Sequence, residues 1–253
     1  MSSLLEFQDI SMHYHDPAGE TAVLESFSMK VEQGEFIALL GPSGCGKSTI
    51  LSLAAGLLRP DSGRVLLRGD EILAPPFHMG YMLQRDQLFP WLSVRENARL
   101  GLRVRRMLNE QSEKRVEALL LACGLTDFAD AFPRQLSGGM RQRAALVRTL
   151  AMDPEFLLLD EPFSALDAQT RLKLADEVKL RIEAEGRAAL LVSHDIAECV
   201  SMAGKVVVLS KRPARIKRVV EIELAGTPLE RRSQPRFREY FDLLWKELDV
   251  HVD

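Results

Sequence analysis

The densest chemistry in the chain lies in nine consecutive residues, Gly41, Pro42, Ser43, Gly44, Cys45, Gly46, Lys47, Ser48 and Thr49. They fit the pattern of Gly, four residues, then Gly-Lys-Ser/Thr that forms a phosphate-binding loop. Glycines let the backbone bend tightly around an anion, so that successive N–H groups and the first turn of a following helix point at it. Lys47 is then the mobile charge for β- and γ-phosphates, and Ser48 offers a hydroxyl to Mg2+ beside phosphate oxygens and waters. Average residue frequencies put a chance match in a chain of this length on the order of one in a hundred. The apolar run Phe36 to Leu40 directly before the loop supplies the strand that such a loop follows.

A second group begins where the apolar run Phe156 to Leu159 ends in Asp160 and Glu161. At the carboxyl end of a buried strand, Asp160 suits a place in a Mg2+ shell and Glu161 suits the base that activates or orients an attacking water. Read alone, Glu161 equally serves as a cap for the next segment. A third group, Leu136 followed by Ser137, Gly138 and Gly139, precedes a helix expected over Met140 to Met152. It offers further amides and a hydroxyl at a helix N-terminus, although Ser-Gly-Gly in isolation reads as a turn.

These residues need a scaffold, and the pattern of the chain describes one. The N-terminal third alternates short strand-like runs with turns: Leu5 to Ile10, Phe27 to Val31, Phe36 to Leu40 and Arg64 to Arg68. Between about Val94 and Leu136 the period becomes helical. In Glu110 to Gly124 the apolar residues Val116, Leu119, Leu120 and Cys123 share a face, and Gly124 is placed to stop the helix. Then come Phe156 to Leu159, a helix from about Asp167 to Glu185 ended by Gly186, and the runs Ala188 to Val192 and Lys205 to Leu209. Strands alternating with helices predict an α/β fold with a parallel sheet covered on both faces. The expected organisation is one domain over 1–253, with a helical insertion over about 94–136 and a C-terminal extension over about 211–253. That extension ends in an amphipathic helix, Pro235 to Leu248, whose Phe237, Tyr240, Phe241, Leu244, Trp245 and Leu248 are expected to pack onto their own domain.

Composition narrows the function classes. Apolar residues are 46% and charged residues 27%, with 16 Gly and 12 Pro, which excludes disordered, collagenous and coiled-coil chains. With 33 Lys and Arg against 36 Asp and Glu, the net charge of −3 provides no global field for a nucleic-acid backbone. The basic stretches Arg99 to Arg106 and Lys211 to Arg218 read as solvated surface rather than a lipid-facing patch. No apolar run approaches the roughly 18 residues of a membrane-spanning helix, and the start MSSLLEFQDI has no leader pattern. Cys45, Cys123 and Cys199, odd in number and far apart, fit reduced thiols.

Taken in order, the phosphate loop at Gly41 to Thr49, Gln84, Leu136 to Met140, Asp160-Glu161 with Ser164 to Asp167, and His194 resemble the ATP-binding subunits of ATP-binding cassette transporters over nearly the whole chain. The resemblance implies a P-loop NTPase core with an N-terminal antiparallel β subdomain and an inserted helical subdomain. It implies ATP and Mg2+ as ligands, Tyr14 stacked on adenine, Gln84 reaching Mg2+ and the attacking water, and His194 on the γ-phosphate. For Tyr14 the competing reading is an ordinary strand aromatic, and for His194 a satisfied core histidine. It further implies a homodimer with each ATP held between the Lys47 loop of one copy and Ser137 of the other. The partners would be integral-membrane permease subunits and, indirectly, a periplasmic or lipid-anchored substrate-binding protein, which places this chain peripherally at the cytoplasmic face of the cell membrane.

Met140, the segment Leu88 to Val94 with its Pro90-Trp91 pair, and Asp160 to Arg171 look like the import subgroup that handles nitrate, sulfonates and taurine. Trp91 is then expected to meet a permease loop, the competing reading being that it anchors the helical insertion to the sheet. Two alternatives remain. A repair or ribosome-associated cassette ATPase would carry long coiled coils or two cassettes, whereas the roughly fifty residues between Gln84 and Ser137 show no heptads. A phosphate-loop kinase or GTPase would not need Leu136 to Gly139, and no Asn-Lys-x-Asp occurs.

Overall fold

A computed structural model describes residues 3–17 and 19–248, so the extreme ends of the expected ranges 1–253 and 211–253 lie outside the described residues. The chain opens with a long antiparallel hairpin, β1 (Leu5–Asp16) and β2 (Gly19–Val31). Both strands run well beyond Leu5 to Ile10 and Phe27 to Val31. Register shifts between Phe7 and Ile10, Ile10 and Met12, and Met12 and His13 break the apolar alternation that marks a strand in sequence. After β3 (Phe36–Leu40) and α1 (Lys47–Ala54), β4 (Ser62–Leu67) and β5 (Asp70–Glu71) complete a four-stranded sheet in the order β2-β1-β4-β5. Arg68 was expected inside β4 but sits at φ 53°, in the turn that follows it.

A second sheet holds six strands. The further elements are β6 (Met79–Met82), α2 (Val94–Val104), α3 (Glu110–Ala122), α4 (Gly138–Ala151), β7 (Phe156–Asp160), α5 (Ala168–Ala184), β8 (Ala188–Val192), α6 (Ile196–Met202), β9 (Lys205–Leu209), β10 (Ile216–Glu221), α7 (Pro228–Arg232) and α8 (Pro235–Glu247). The order is β10-β9-β3-β8-β7-β6, parallel throughout except for β10. Neither edge strand stands out in the sequence. β6 is four residues containing a glycine, and in β10 Val220 alone is buried, so an edge strand presents as a basic surface stretch.

The central strands are apolar at every position because both faces are covered. Ile37, Leu39, Leu158 and Leu190 pack toward the antiparallel sheet and α1, while Ala38, Leu40, Leu157, Leu159 and Leu191 join a core shared with α2, α3, α4, α5 and α6. Val116, Leu119, Leu120 and Cys123 are all buried in that same core. Side-chain caps at Ser93, Asn109, Ser137 and Asp167 start α2, α3, α4 and α5. Gly124 and Gly186, both at positive φ, follow α3 and α5. α8 packs onto its own domain through Leu244, with Phe237, Tyr240, Phe241 and Leu248 around it. Trp245 departs from that face, lying 44% exposed and stacked on Phe241. Among the described residues no helix is long and apolar enough to cross a membrane.

Candidate functional site

Five neighbouring parallel strands, β9-β3-β8-β7-β6, present their carboxyl ends along one edge of the sheet. Register aligns Leu39 with Val192, Val192 with Asp160, and Leu159 with Met82. The segments that follow are therefore neighbours in space: the loop to Lys47 after β3, Ser193 and His194 after β8, Glu161 after β7, and Gln84 after β6. Such a row of strand ends is where parallel α/β sheets hold ligands. A cavity of about 380 Å3 opens there, lined by Tyr14, Val23, the phosphate loop, Gln84, Glu161 and Arg212.

The loop is formed as its sequence requires. Gly46 has φ +124°, and a Cβ there would lie 2.9 Å from the Val23 side chain, so only glycine fits. No side chain caps the first amides of α1, which leaves that helix end receptive to an anion. Lys47 is buried, and its ammonium donates to the carbonyls of Gly41 at 2.7 Å and Pro42 at 2.9 Å. Tyr14 is 43% exposed on the cavity wall, its hydroxyl 3.3 Å from Thr49 Oγ1, so it is not a core aromatic.

Asp160 is buried at the end of β7. Burial first, and then the adjacent Glu161 charge, push its carboxyl above the usual range, against a hydrogen bond from Ser48 and the charge of Lys47. Its Oδ1 has no hydrogen-bond partner. A buried carboxylate oxygen without a donor costs free energy unless a cation meets it, and Asp160 with the Ser48 hydroxyl is an oxygen set of the kind Mg2+ takes.

Glu161 joins residues far apart in sequence. Gln84 Nε2 donates to its Oε2 at 3.3 Å, and His194 Nδ1 lies 3.1 Å from its Oε1. Its backbone is left-handed at φ 48°, a conformation costing about 1–3 kcal/mol for a residue with a side chain, and its N–H donates to the Val192 carbonyl at 2.9 Å. Buried Gln142 braces the same turn, donating to the Glu161 carbonyl and to Ser164 Oγ while accepting from the Ala165 N–H. The His194 side chain is 62% exposed, which overturns the core-histidine reading. The segment around it is fixed from beneath. The Asp195 N–H donates to Ser193 Oγ, Arg171 pairs with Asp195, and the Glu198 carboxyl is pushed by burial up to about 7.

Ser137, Gly138 and Gly139 are not brought into this cavity. Ser137 caps α4 by accepting from the Met140 N–H at 3.2 Å, and both Ser137 and Gly138 are exposed. Gly138 instead borders a separate depression with Gln84 and Ser164.

Beyond Gln84, Trp91 is 67% exposed and packs on Phe89 with ring centroids 5.2 Å apart, so it does not anchor the insertion to the sheet. Its loop is held by Asn97, which is fully buried in α2. Asn97 Nδ2 donates to the carbonyls of Phe89, Leu92 and Ser93, and its Oδ1 accepts from the Phe89 N–H at 2.8 Å. Sequence reasoning passed over Asn97, Gln142 and Arg212. For Asn97 the signal was a polar residue between Val94 and Ala98 on the face α2 turns to the core.

Comparison with known proteins agrees with this geometry. The family model described as ABC transporter matches residues 24–164. The uncharacterized ABC transporter ATP-binding protein YtlC of Bacillus subtilis is 44% identical over 250 residues, covering 98% of this chain and 96% of that protein. The nitrate import ATP-binding protein NrtD of Synechocystis is 38% identical over 248 residues, covering 94% and 92%. The ATP-binding cassette MJ0796, in a dimeric post-hydrolysis structure bound to ADP and phosphate, superposes with a TM-score of 0.79 at 28% identity, covering 87% of this chain and 99% of that one. The fold is that of these cassettes, a P-loop α/β core with an antiparallel β sheet and helices.

Proposed function

The chain belongs to the ABC transporter family, whose ATP-binding domains hydrolyse ATP, and from that premise we propose that it powers import of a small solute through a separate membrane permease. The observation that carries the reading is the meeting of Gln84 and His194 on Glu161, with Gln84 and Glu161 lining the cavity of the Lys47 loop. In this reading residues 94–136 act as a helical subdomain of a single cassette. Adenine stacks on Tyr14, and the amides of Gly41 to Thr49 together with Lys47 hold the phosphates. Ser48, Asp160 and Gln84 would hold Mg2+, which when bound neutralises phosphate charge; the unpartnered Asp160 Oδ1 supports that set. Glu161 orients the attacking water and accepts its proton as the water oxygen bonds to the γ-phosphorus and the bond to ADP breaks. His194 then steadies the γ-phosphate oxygens.

One chain leaves this site incomplete. Ser137 and Gly138 are exposed and outside the cavity, which supports a head-to-tail homodimer in which Ser137 of a second copy closes over the nucleotide. The MJ0796 cassette is itself dimeric. Closure on ATP and reopening after hydrolysis would then move the permease, with the exposed Phe89-Trp91 pair as its contact. Likeness to NrtD and the Pro90-Trp91 segment support an importer of a small anion or organic compound such as nitrate, a sulfonate or taurine. A periplasmic or lipid-anchored protein would deliver it, with this chain peripheral at the cytoplasmic face.

Glu161→Gln tests the core of the proposal. The amide keeps size and hydrogen bonding but removes the base, so ATP should still bind while turnover falls about 10²–10⁴-fold. The closed state then persists, and size-exclusion should show a dimer with ATP that ADP does not support. Normal hydrolysis by the purified variant would remove Glu161 as the base.

A further inference from the structure

Arg212 lies outside every motif described above, yet it shares the nucleotide cavity. It sits in the turn after β9, the strand next to β3, so it reaches the same row of strand ends from the side opposite Glu161. Its Nε and Nη2 both donate to the Gly44 carbonyl, at 3.1 Å and 2.9 Å, a two-pronged contact on the middle of the phosphate loop. Gly44 is at φ +71°, and a Cβ there would meet Nη2 at 3.2 Å, so the guanidinium packs directly against the loop backbone. The turn that carries it is fastened. Buried Ala214 donates its N–H to the carbonyl of Val23, a cavity-wall residue, at 2.8 Å, and Ser210 closes the turn through the Arg215 backbone.

Charge completes the case. Among the described residues lining the cavity, the cationic side chains are Lys47 and Arg212, and the Lys47 ammonium is already engaged by two loop carbonyls. We propose that Arg212 is a nucleotide-positioning residue: it holds the Gly44 carbonyl and so fixes the loop backbone whose following amides face the phosphates, and it sets a second positive charge beside them. This rests on the ATP reading above. It makes the start of the C-terminal extension part of the site, and it assigns the polyphosphate, not the base, as what Arg212 senses. A guanidinium is suited to the task because its fork meets one carbonyl with two donors and keeps its charge.

The test is titration of the full chain with fluorescent mant-ATP and mant-ADP, for wild type, Lys47→Ala, Arg212→Ala and Arg212→Lys, at about 50 mM and about 300 mM salt. Arg212→Ala should weaken both nucleotides about 5–30-fold at low salt, with a smaller loss at high salt where the charge is screened. Arg212→Lys should fall between, regaining charge but not the fork. In steady-state assays KM for ATP should rise more than kcat falls, a split that general loss of folded protein does not give. Wild-type affinity in Arg212→Ala, with Lys47→Ala impaired, overturns the role of Arg212 and leaves the ATP site standing. If Lys47→Ala also binds like wild type, the ATP site falls and the role of Arg212 with it.

Discussion

The cavity proposed to hold ATP and the Phe89-Trp91 surface lie a few residues apart along the Gln84 to Val94 segment, but they are built by opposite means. The cavity is framed by regular main chain and its braces: parallel strand ends, a strained Glu161, buried Gln142 and the half-buried Arg171–Asp195 pair. The surface is an irregular loop held mainly by side chains, Asn97 on Phe89, Leu92 and Ser93 and Arg148 on the carbonyls of Asp86 and Gln87. Proton transfer and phosphate stabilisation demand placement within tenths of an ångström, which strand ends and fixed dipoles supply. A contact that must follow a moving partner needs only exposed apolar area kept in one shape.

Substitutions on each side test that contrast. Lys47→Ala should weaken ATP binding by roughly 10–100-fold, through loss of the charge nearest the β- and γ-phosphates, while nucleotide-free stability changes little; isothermal titration and thermal melting read the two. Unchanged affinity would count against the cavity as the ATP site. Asn97→Ala removes four side-chain hydrogen bonds, leaving the Phe89 N–H and the Leu92 carbonyl without that partner while the Phe89 and Ser93 carbonyls keep backbone donors, and should destabilise the chain by about 2–3 kcal/mol, lowering the melting temperature by roughly 5–10 °C. ATP affinity should hold, because the brace serves the surface alone; a matching fall in affinity would show that the two regions are one mechanical unit. The smallest effect on the isolated chain belongs to Trp91→Ala, within about 0.5 kcal/mol for an exposed side chain. Permease co-purification should be lost all the same, and a variant that unfolds would make the ring structural.

Much of the cavity was legible because its chemistry is local. The loop Gly41 to Thr49, the acid pair after Phe156 to Leu159 and the buried strands around them each advertise themselves within ten residues. His194 and Gln84 were placed by resemblance, since nothing near either residue states that both will meet Glu161. What stayed hidden depends on neighbours that sequence does not name. β6 and β10 are strands because β7 and β9 pair with them, and their own composition is that of a turn and a basic surface. Arg212 reads as one charge in a solvated run until the β9 strand sets it against Gly44. The outer halves of β1 and β2 vanished into bulges, which remove the alternation that a reader counts.

The strand order also governs when the protein can exist during its own synthesis. β3, the strand that launches the phosphate loop, pairs with β8 and β9, so Phe36 meets Ala189 and Ala38 meets Val206. At typical synthesis rates the ribosome takes on the order of 10–30 s to make the roughly 150 residues between them. For that interval Phe36 to Leu40, fully apolar and buried on both faces in the finished sheet, has neither neighbour, and it is an edge open to wrong pairing. The nascent chain therefore carries this unpaired apolar strand until β8 has been made, and a polypeptide released before about residue 209 lacks the β9 neighbour of β3.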